Sequence, residues 1–118
     1  MVTTTKSRTK HATSLAEFNQ MLLESLDESL QVTLGENVSR ALRIHLEKQI
    51  SLTIERILEE RLDSLFASLQ GLFGDGGDVV SRTIVTKLYA KAGEPLQYAK
   101  PPAQHIEELK KQLVAENG

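Results

Sequence analysis

The chain has no cysteine, and this absence excludes several kinds of function. Disulfide scaffolds, thiolate metal sites and cysteine nucleophiles all require a thiol, so the sequence predicts none of them. The first residues also lack the apolar core of a secretory signal peptide. A thiol-free chain without such a signal fits a reducing compartment, and we expect a cytoplasmic location.

Long apolar runs, proline and aromatic residues are scarce as well. No apolar run approaches the roughly 20 residues that a membrane-spanning helix needs, so no membrane span is predicted. Aromatic residues make up 4% of the 118 residues, and all 3 prolines follow Glu94. The expected core is therefore aliphatic, and the Leu-rich and Glu-rich remainder of the chain favours helix.

Neither sign of charge dominates the sequence. The formal net charge is −2 at pH 7, so no overall field attracts nucleic acid or an anionic membrane. The distribution is uneven, because residues 1–13 contain no acid and several basic side chains, namely Lys6, Arg8, Lys10 and His11. This segment has too little apolar surface to offset its ordering entropy. We predict a disordered basic tail over residues 1–13 and a single helical domain over residues 14–116.

The spacing of apolar residues predicts an all-α domain, a compact bundle of about five helices. Ser14 and Glu17 have the spacing of a capping box, so the first helix is expected to begin there. Gly35 and Gly93 are placed to end helices, and the last helix is expected to begin near Pro102.

The middle of the chain can be divided into helices in more than one way. The absence of proline over residues 50–73 predicts one long helix, with breaks at residues 51–53 or 63–64 as the alternatives. Gly74, Gly76 and Gly77 then predict a turn with positive φ, after which Asp78 is expected to cap the next helix.

A series of short segments between Phe18 and Tyr98 resembles a known family. These segments are Leu34-Gly35-Glu36, Ala41 with His45-Leu46-Glu47-Lys48, Phe66 with Leu69, Leu72-Phe73-Gly74-Asp75-Gly76, and Leu88-Tyr89-Ala90-Lys91-Ala92-Gly93. In this order they resemble the small all-helical archaeal domain called the Nitrososphaera output domain, or NitrOD. The chain departs from that pattern between Lys48 and Phe66, where helix-forming residues replace a polar loop, and at Gly77, where a small apolar residue is usual. The resemblance implies an output or interaction module of signalling proteins, and it implies no catalytic residue.

His45 is the first candidate for a functional side chain. It lies on the predicted apolar face of the second helix, together with Val38, Ala41, Leu42, Leu46 and Gln49. Imidazole titrates near neutral pH, so a pH switch is one interpretation. A core histidine is the preferred one, because no second metal ligand stands at a paired spacing and a metal site needs several.

The other candidate side chains are basic. Three lie in the tail and three in the helix predicted over residues 79–92: Lys6, Arg8, Lys10, Arg82, Lys87 and Lys91. Such groups are candidates for contact with a polyanion or a protein partner. No catalytic residue, metal ligand or cofactor is predicted.

The predicted apolar seam of the middle stretch is large for so small a core. It consists of Leu58, Leu62, Leu65, Leu69 and Leu72, flanked by Ile54, Ile57, Phe66 and Phe73. Apolar surface in excess of the core is usually covered by a partner, either another protein or a second copy of the chain. The sequence therefore predicts a non-enzymatic interaction module in signalling or regulation. The alternative is a nucleic-acid-binding regulatory domain that uses the basic tail and the helix over residues 79–92.

Overall fold

Six helices follow one another in the computed structural model, which describes residues 13–96 and 100–114. They are α1 (Leu15–Leu34), α2 (Glu36–Ile50), α3 (Ile54–Glu60), α4 (Leu62–Phe73), α5 (Asp75–Ala92) and α6 (Pro102–Leu113). These ranges contain no strand, and the all-α prediction is confirmed for them. The predicted tail falls almost wholly outside the described residues, which begin at Thr13. None of the described helices combines the length and the apolarity that crossing a membrane requires.

Helix α1 begins at the predicted capping box. The Ser14 hydroxyl accepts a hydrogen bond from the Glu17 backbone N–H at 3.0 Å, and the Glu17 carboxylate accepts one from the Ser14 N–H at 2.8 Å. The helix ends at Gly35, whose φ of 88° is unfavourable for residues with a side chain. Gly93 ends α5 in the same way with φ 72°. These helix ends were predictable because local chemistry fixes them.

Helices α1 and α2 fold back on each other about the single connecting residue Gly35. An Arg43 guanidinium nitrogen lies 3.2 Å from an Asp27 carboxylate oxygen. Each of these residues is eight positions from Gly35, which is about 12 Å of helix. The two side chains can meet only if the helices form a hairpin, as the short connection predicts.

The stretch from Ile50 to Phe73 is not one helix, and the count of about five helices becomes six. Ser51 ends α2 in the left-handed conformation with φ 66°, so the predicted break at residues 51–53 is confirmed. Thr53 then caps α3 by accepting from the Arg56 N–H at 3.3 Å. The second break lies at Arg61, not at residues 63–64. With two breaks, α3 and α4 can each turn an apolar face to the core.

The prediction that Gly76 and Gly77 form a turn is wrong. Only Gly74 has positive φ, at 57°, and α5 begins at Asp75, three residues before the predicted cap at Asp78. Gly77 has a different role, because a Cβ at this position would lie 2.4 Å from the Leu69 carbonyl oxygen. Glycine at position 77 thus allows the backbones of α4 and α5 to come into close contact.

The core is aliphatic apart from Phe18 and Tyr89, and α5 lies at its centre in contact with α1, α4 and α6. Helix α6 begins at Pro102 as expected, and its apolar stripe of Ile106, Leu109 and Leu113 is buried. The predicted seam is buried too, except for Leu72, which is 47% exposed in the last turn of α4. Of the flanking side chains, Ile54 and Ile57 have no exposed surface, whereas Phe66 and Phe73 are partly buried against the core. Most of the predicted seam therefore belongs to the core of the domain, and its remaining exposed surface lies on α4.

Candidate interaction surface on the second helix

Helix α2 has apolar residues on two sides. The inward side packs on the domain through Leu42 and Leu46, which are 6% and 0% exposed. The outward side exposes Val38 by 48% and Ile44 by 50%. At 100° per residue, six exposed residues share an arc of about 120°, and we call them the outer face of α2: Asn37, Val38, Ala41, Ile44, His45 and Lys48.

The structure places His45 on this outer face and not in the core, so the core-histidine interpretation is wrong. The prediction placed Ala41 and His45 on the same face of the helix as Leu42 and Leu46. Neighbouring residues on a helix point about 100° apart, so one pair faces the core while the other faces outward. Val38 and Ala41, predicted on the same face, are exposed as well. His45 is thus accessible to a partner.

Most charged side chains of α2 are engaged by other residues of the domain. Glu36 in the first turn lies 3.0 Å from Arg40, and both side chains are largely exposed. Arg43 is held by Asp27 of α1, and the Glu47 carboxylate accepts a hydrogen bond from the Ile54 N–H at 2.7 Å. Lys48, in the last turn, makes no ion pair with another described residue. Glu36 and Arg40 point about 140° and 100° away from Ala41 around the helix axis, so the outer face contains Lys48 and no acidic residue.

The structure does not gather the basic residues of α5 into one surface. The Lys91 ammonium lies 3.1 Å from a Glu28 carboxylate oxygen and 3.7 Å from one of Glu24. The hydrogen bond from Lys91 to Glu28 raises the pKa of Lys91. Arg82 and Lys91 are nine residues apart, which is about half a turn around the helix axis. Lys6, Arg8 and Lys10 lie outside the described residues.

Sequence reasoning missed a polar contact between α5 and α6. The Tyr89 hydroxyl donates a hydrogen bond to the His105 carbonyl oxygen at 3.0 Å. The two rings meet edge to face, with centroids 5.6 Å apart, and His105 is only 7% exposed. Burial raises the pKa of Tyr89, and the negative charge of Glu108 adds to this effect. His105 lies four residues before Leu109. This spacing is the one signal in the sequence that would have placed His105 on the same side of α6 as Leu109.

A polar pocket of about 250 Å³ lies beside Tyr89 and His105. Its charged groups are already paired, since Lys100 lies 2.6 Å from Glu108 and the Gln112 amide donates to Glu94 at 3.4 Å. The hydrogen bond from Lys100 holds the pKa of Glu108 below its usual value. These internal contacts join α6 to the rest of the domain and leave few polar groups free to bind a ligand.

The adjacent carboxylates of α3 do not form an acid–base pair. Glu59 accepts a hydrogen bond from the Asn19 amide at 2.9 Å, whereas Glu60 pairs with Arg56 at 2.8 Å. Among the described residues, no three His, Asp or Glu side chains come together as a metal-binding group. The outer face of α2 is thus the clearest candidate site that the described residues offer. Comparison with protein-family models, with curated proteins and with solved structures gives no match to this chain.

Proposed function

We propose that the chain is a non-enzymatic interaction module that acts in signalling or regulation in the cytoplasm and binds a protein partner through the outer face of α2. One observation supports this proposal above the others. Val38, Ala41 and Ile44 are exposed on the side of α2 that faces away from the core. A helix on the surface of a domain ordinarily has one apolar stripe, and a second stripe is typical of a binding surface.

The other exposed aliphatic side chains are more scattered. Val79 lies on a part of α5 whose exposed neighbours are polar or charged, including Asp75, Asp78 and Arg82. Leu72 is likewise the one large exposed aliphatic residue of α4. Single exposed aliphatic residues are normal on protein surfaces and need no partner to explain them. The grouping on α2 is what favours it as the binding surface.

The resemblance to NitrOD domains points in the same direction. One of the segments on which it rests, Ala41 with His45-Leu46-Glu47-Lys48, includes three residues of the outer face. That family's implied role is an output or interaction module in archaeal signalling proteins. A binding surface on α2 would give such a module its means of action.

The proposal is tested by capture of partners with two matched double variants. Val38→Glu with Ile44→Glu changes the outer face, whereas Leu72→Glu with Val79→Glu changes two residues of nearly equal exposure elsewhere. Each immobilised protein is exposed to an extract of the native cells, and retained proteins are quantified by mass spectrometry. We expect the control and the unaltered chain to retain the same partner and the α2 variant to lose it, because glutamates cannot enter an apolar contact without a large desolvation cost.

Circular dichroism of both variants must show unchanged helix content for this comparison to be valid. A partner retained equally by the α2 variant would refute the proposed surface. A partner lost only by the Leu72 and Val79 variant would place the binding site on α4 and α5 instead.

A further inference from the structure

We infer that α6 is a detachable helix and that the groove it covers on α4 and α5 is a second binding site. The ligand of this site is a partner helix whose aliphatic residues have the spacing of those in α6. The inference goes beyond the proposed function, because it does not involve the outer face of α2. Four observations lead to it: the length of the connection to α6, its share of the core, the open space beside it and the polar contacts that hold it.

The connection to α6 is much longer than the other connections in the domain. One residue joins α1 to α2, α3 to α4 and α4 to α5, and three residues join α2 to α3. Nine residues, 93–101, separate α5 from α6. A segment of nine residues can span up to about 30 Å, so α6 can leave its place while α1–α5 keep all of their helical turns.

Most of the hydrophobic core lies outside α6. Among the described residues, 20 hydrophobic residues are buried, of which three lie on α6 and 17 on α1–α5. The three are Ile106, Leu109 and Leu113, and the main contacts of α6 are with α4 and α5. Helix α5 packs against α1 and α4 independently of α6. We therefore expect α1–α5 to stay folded when α6 is released.

Open space lies on both sides of α6. One side faces the polar pocket of about 250 Å³ beside Tyr89. The other side faces a cavity of about 530 Å³, which is lined by Leu62 of α4 and by Ala103 and Glu107 of α6. By contrast, α4 and α5 approach each other so closely that Gly77 has no room for a Cβ. The packing along α6 is thus less continuous than the packing between α4 and α5.

Few polar contacts hold α6 in place. The Tyr89 hydroxyl donates to the His105 carbonyl oxygen at 3.0 Å, and the Gln112 amide donates to Glu94 at 3.4 Å. Within the part of the chain that the structure describes, no ion pair joins α6 to α1–α5. A helix of 12 residues is marginal in water by itself, so α6 loses its helical structure when it leaves the groove.

The side chains that α6 inserts define the ligand of the groove. Ile106, Leu109 and Leu113 occupy positions i, i+3 and i+7, which is the spacing by which amphipathic helices bind apolar grooves. The Tyr89 hydroxyl binds a main-chain carbonyl oxygen, which a helix of any sequence can supply. A partner helix with this spacing therefore competes with α6 for the same place, and α6 acts as an inhibitor within the chain.

A substitution in the full chain tests whether α6 is detachable. Ile106→Glu should release α6, because an unpaired carboxylate is too costly to bury. Circular dichroism should lose no more than the signal of the 12 residues of α6, and the remaining helices should still unfold cooperatively. Leu65→Glu, at an equally buried residue of α4, is the control and should unfold the whole domain. Complete unfolding of Ile106→Glu would overturn the inference.

Hydrogen exchange of the unaltered chain provides a measurement without substitutions. The amide protons of α6 should exchange at least about tenfold faster than the slowest amide protons of α5, because release of α6 opens no other helix. Low concentrations of urea should change the exchange of α6 only slightly, since its release exposes little surface. Exchange of both helices at one rate, with one dependence on urea, would contradict a detachable α6.

A labelled synthetic peptide of residues 100–114 tests the groove as a binding site. It should bind Ile106→Glu at least about tenfold more tightly than the unaltered chain, because α6 covers the groove of the latter for most of the time. The same peptide with Ile106→Glu is the control and should bind neither protein. Equal binding to the two proteins, or no binding to Ile106→Glu, would rule out the site. These measurements do not involve α2, so this inference and the proposed function can fail separately.

Discussion

At the scale of single residues, Gly76 and Gly77 lie side by side in the first turns of α5 but have different surroundings. A Cβ at Gly77 would lie 2.4 Å from the Leu69 carbonyl oxygen, which belongs to the backbone and cannot move aside. A Cβ at Gly76 would lie 3.5 Å from the Cβ of Phe73, which is an ordinary contact.

We expect Gly77→Ala to lower the free energy of unfolding by about 1–3 kcal/mol, the usual cost of forcing extra atoms into a packed interior. Gly76→Ala is the matched control and should raise stability by up to about 1 kcal/mol, because alanine is the better helix former. Urea unfolding of the two variants measures both effects. Equal stability of the two proteins would show that α4 and α5 do not approach as closely as described.

Tyr89 gives a second prediction at this scale. Near neutral pH, Tyr89→Phe should cost about 1 kcal/mol, because it removes the hydrogen bond to the His105 carbonyl. The pKa of Tyr89 is raised by burial, so the folded state favours the protonated phenol. The stability from this group is complete below the ordinary pKa of 10.0 and is lost as the pH rises through the folded value.

The difference in unfolding free energy between the unaltered chain and Tyr89→Phe should therefore narrow above about pH 10. Urea unfolding near neutral pH and in the alkaline range measures this difference. A difference that does not change with pH would indicate that the phenol is equally solvated in both states.

At the scale of helices, the distribution of basic residues on α5 opposes binding to a polyanion. Lys91 is paired with Glu24 and Glu28 of α1, and Arg82 lies about half a turn away around the helix. In a titration of labelled protein with duplex DNA at two salt concentrations, we expect no salt-sensitive shifts along α5. Such shifts at Arg82, Lys87 and Lys91 together would instead favour the nucleic-acid-binding alternative, because counterion release makes phosphate contacts sensitive to salt.

The helices also show how far sequence reasoning extends. The start of α1 and the ends at Gly35 and Gly93 were predictable, because each depends on a few neighbouring residues. The break at Arg61 was not, because no cap in the sequence marks it and it is associated with packing of α3 and α4 against different parts of the core. The predicted position of His45 was wrong because apolar spacing alone does not show which of the two apolar sides of α2 packs against the core.

At the scale of the whole molecule, the apolar seam is part of one continuous core. Leu65 has no exposed surface, whereas Leu72 at the end of the same helix is 47% exposed. We expect Leu65→Ala to cost about 2–5 kcal/mol and Leu65→Glu to prevent folding, since the first leaves a cavity and the second buries a charge.

Leu72→Ala is the control and should change stability by less than about 1 kcal/mol, because almost half of that residue is exposed to solvent. Thermal unfolding followed by circular dichroism distinguishes the two positions. A large loss at Leu72 would show that another element covers the end of α4.

The single-residue connection at Gly35 has a consequence for how the molecule opens. A connection of one residue cannot lengthen. Helix α2 therefore cannot separate from α1 unless the first turn of α2 or the last turn of α1 unwinds. The ion pair between Asp27 and Arg43 also links the two helices, farther along the hairpin. We therefore expect the amide protons of α1 and α2 to exchange with solvent as one cooperative unit, and occupancy of the outer face of α2 to slow exchange in both helices.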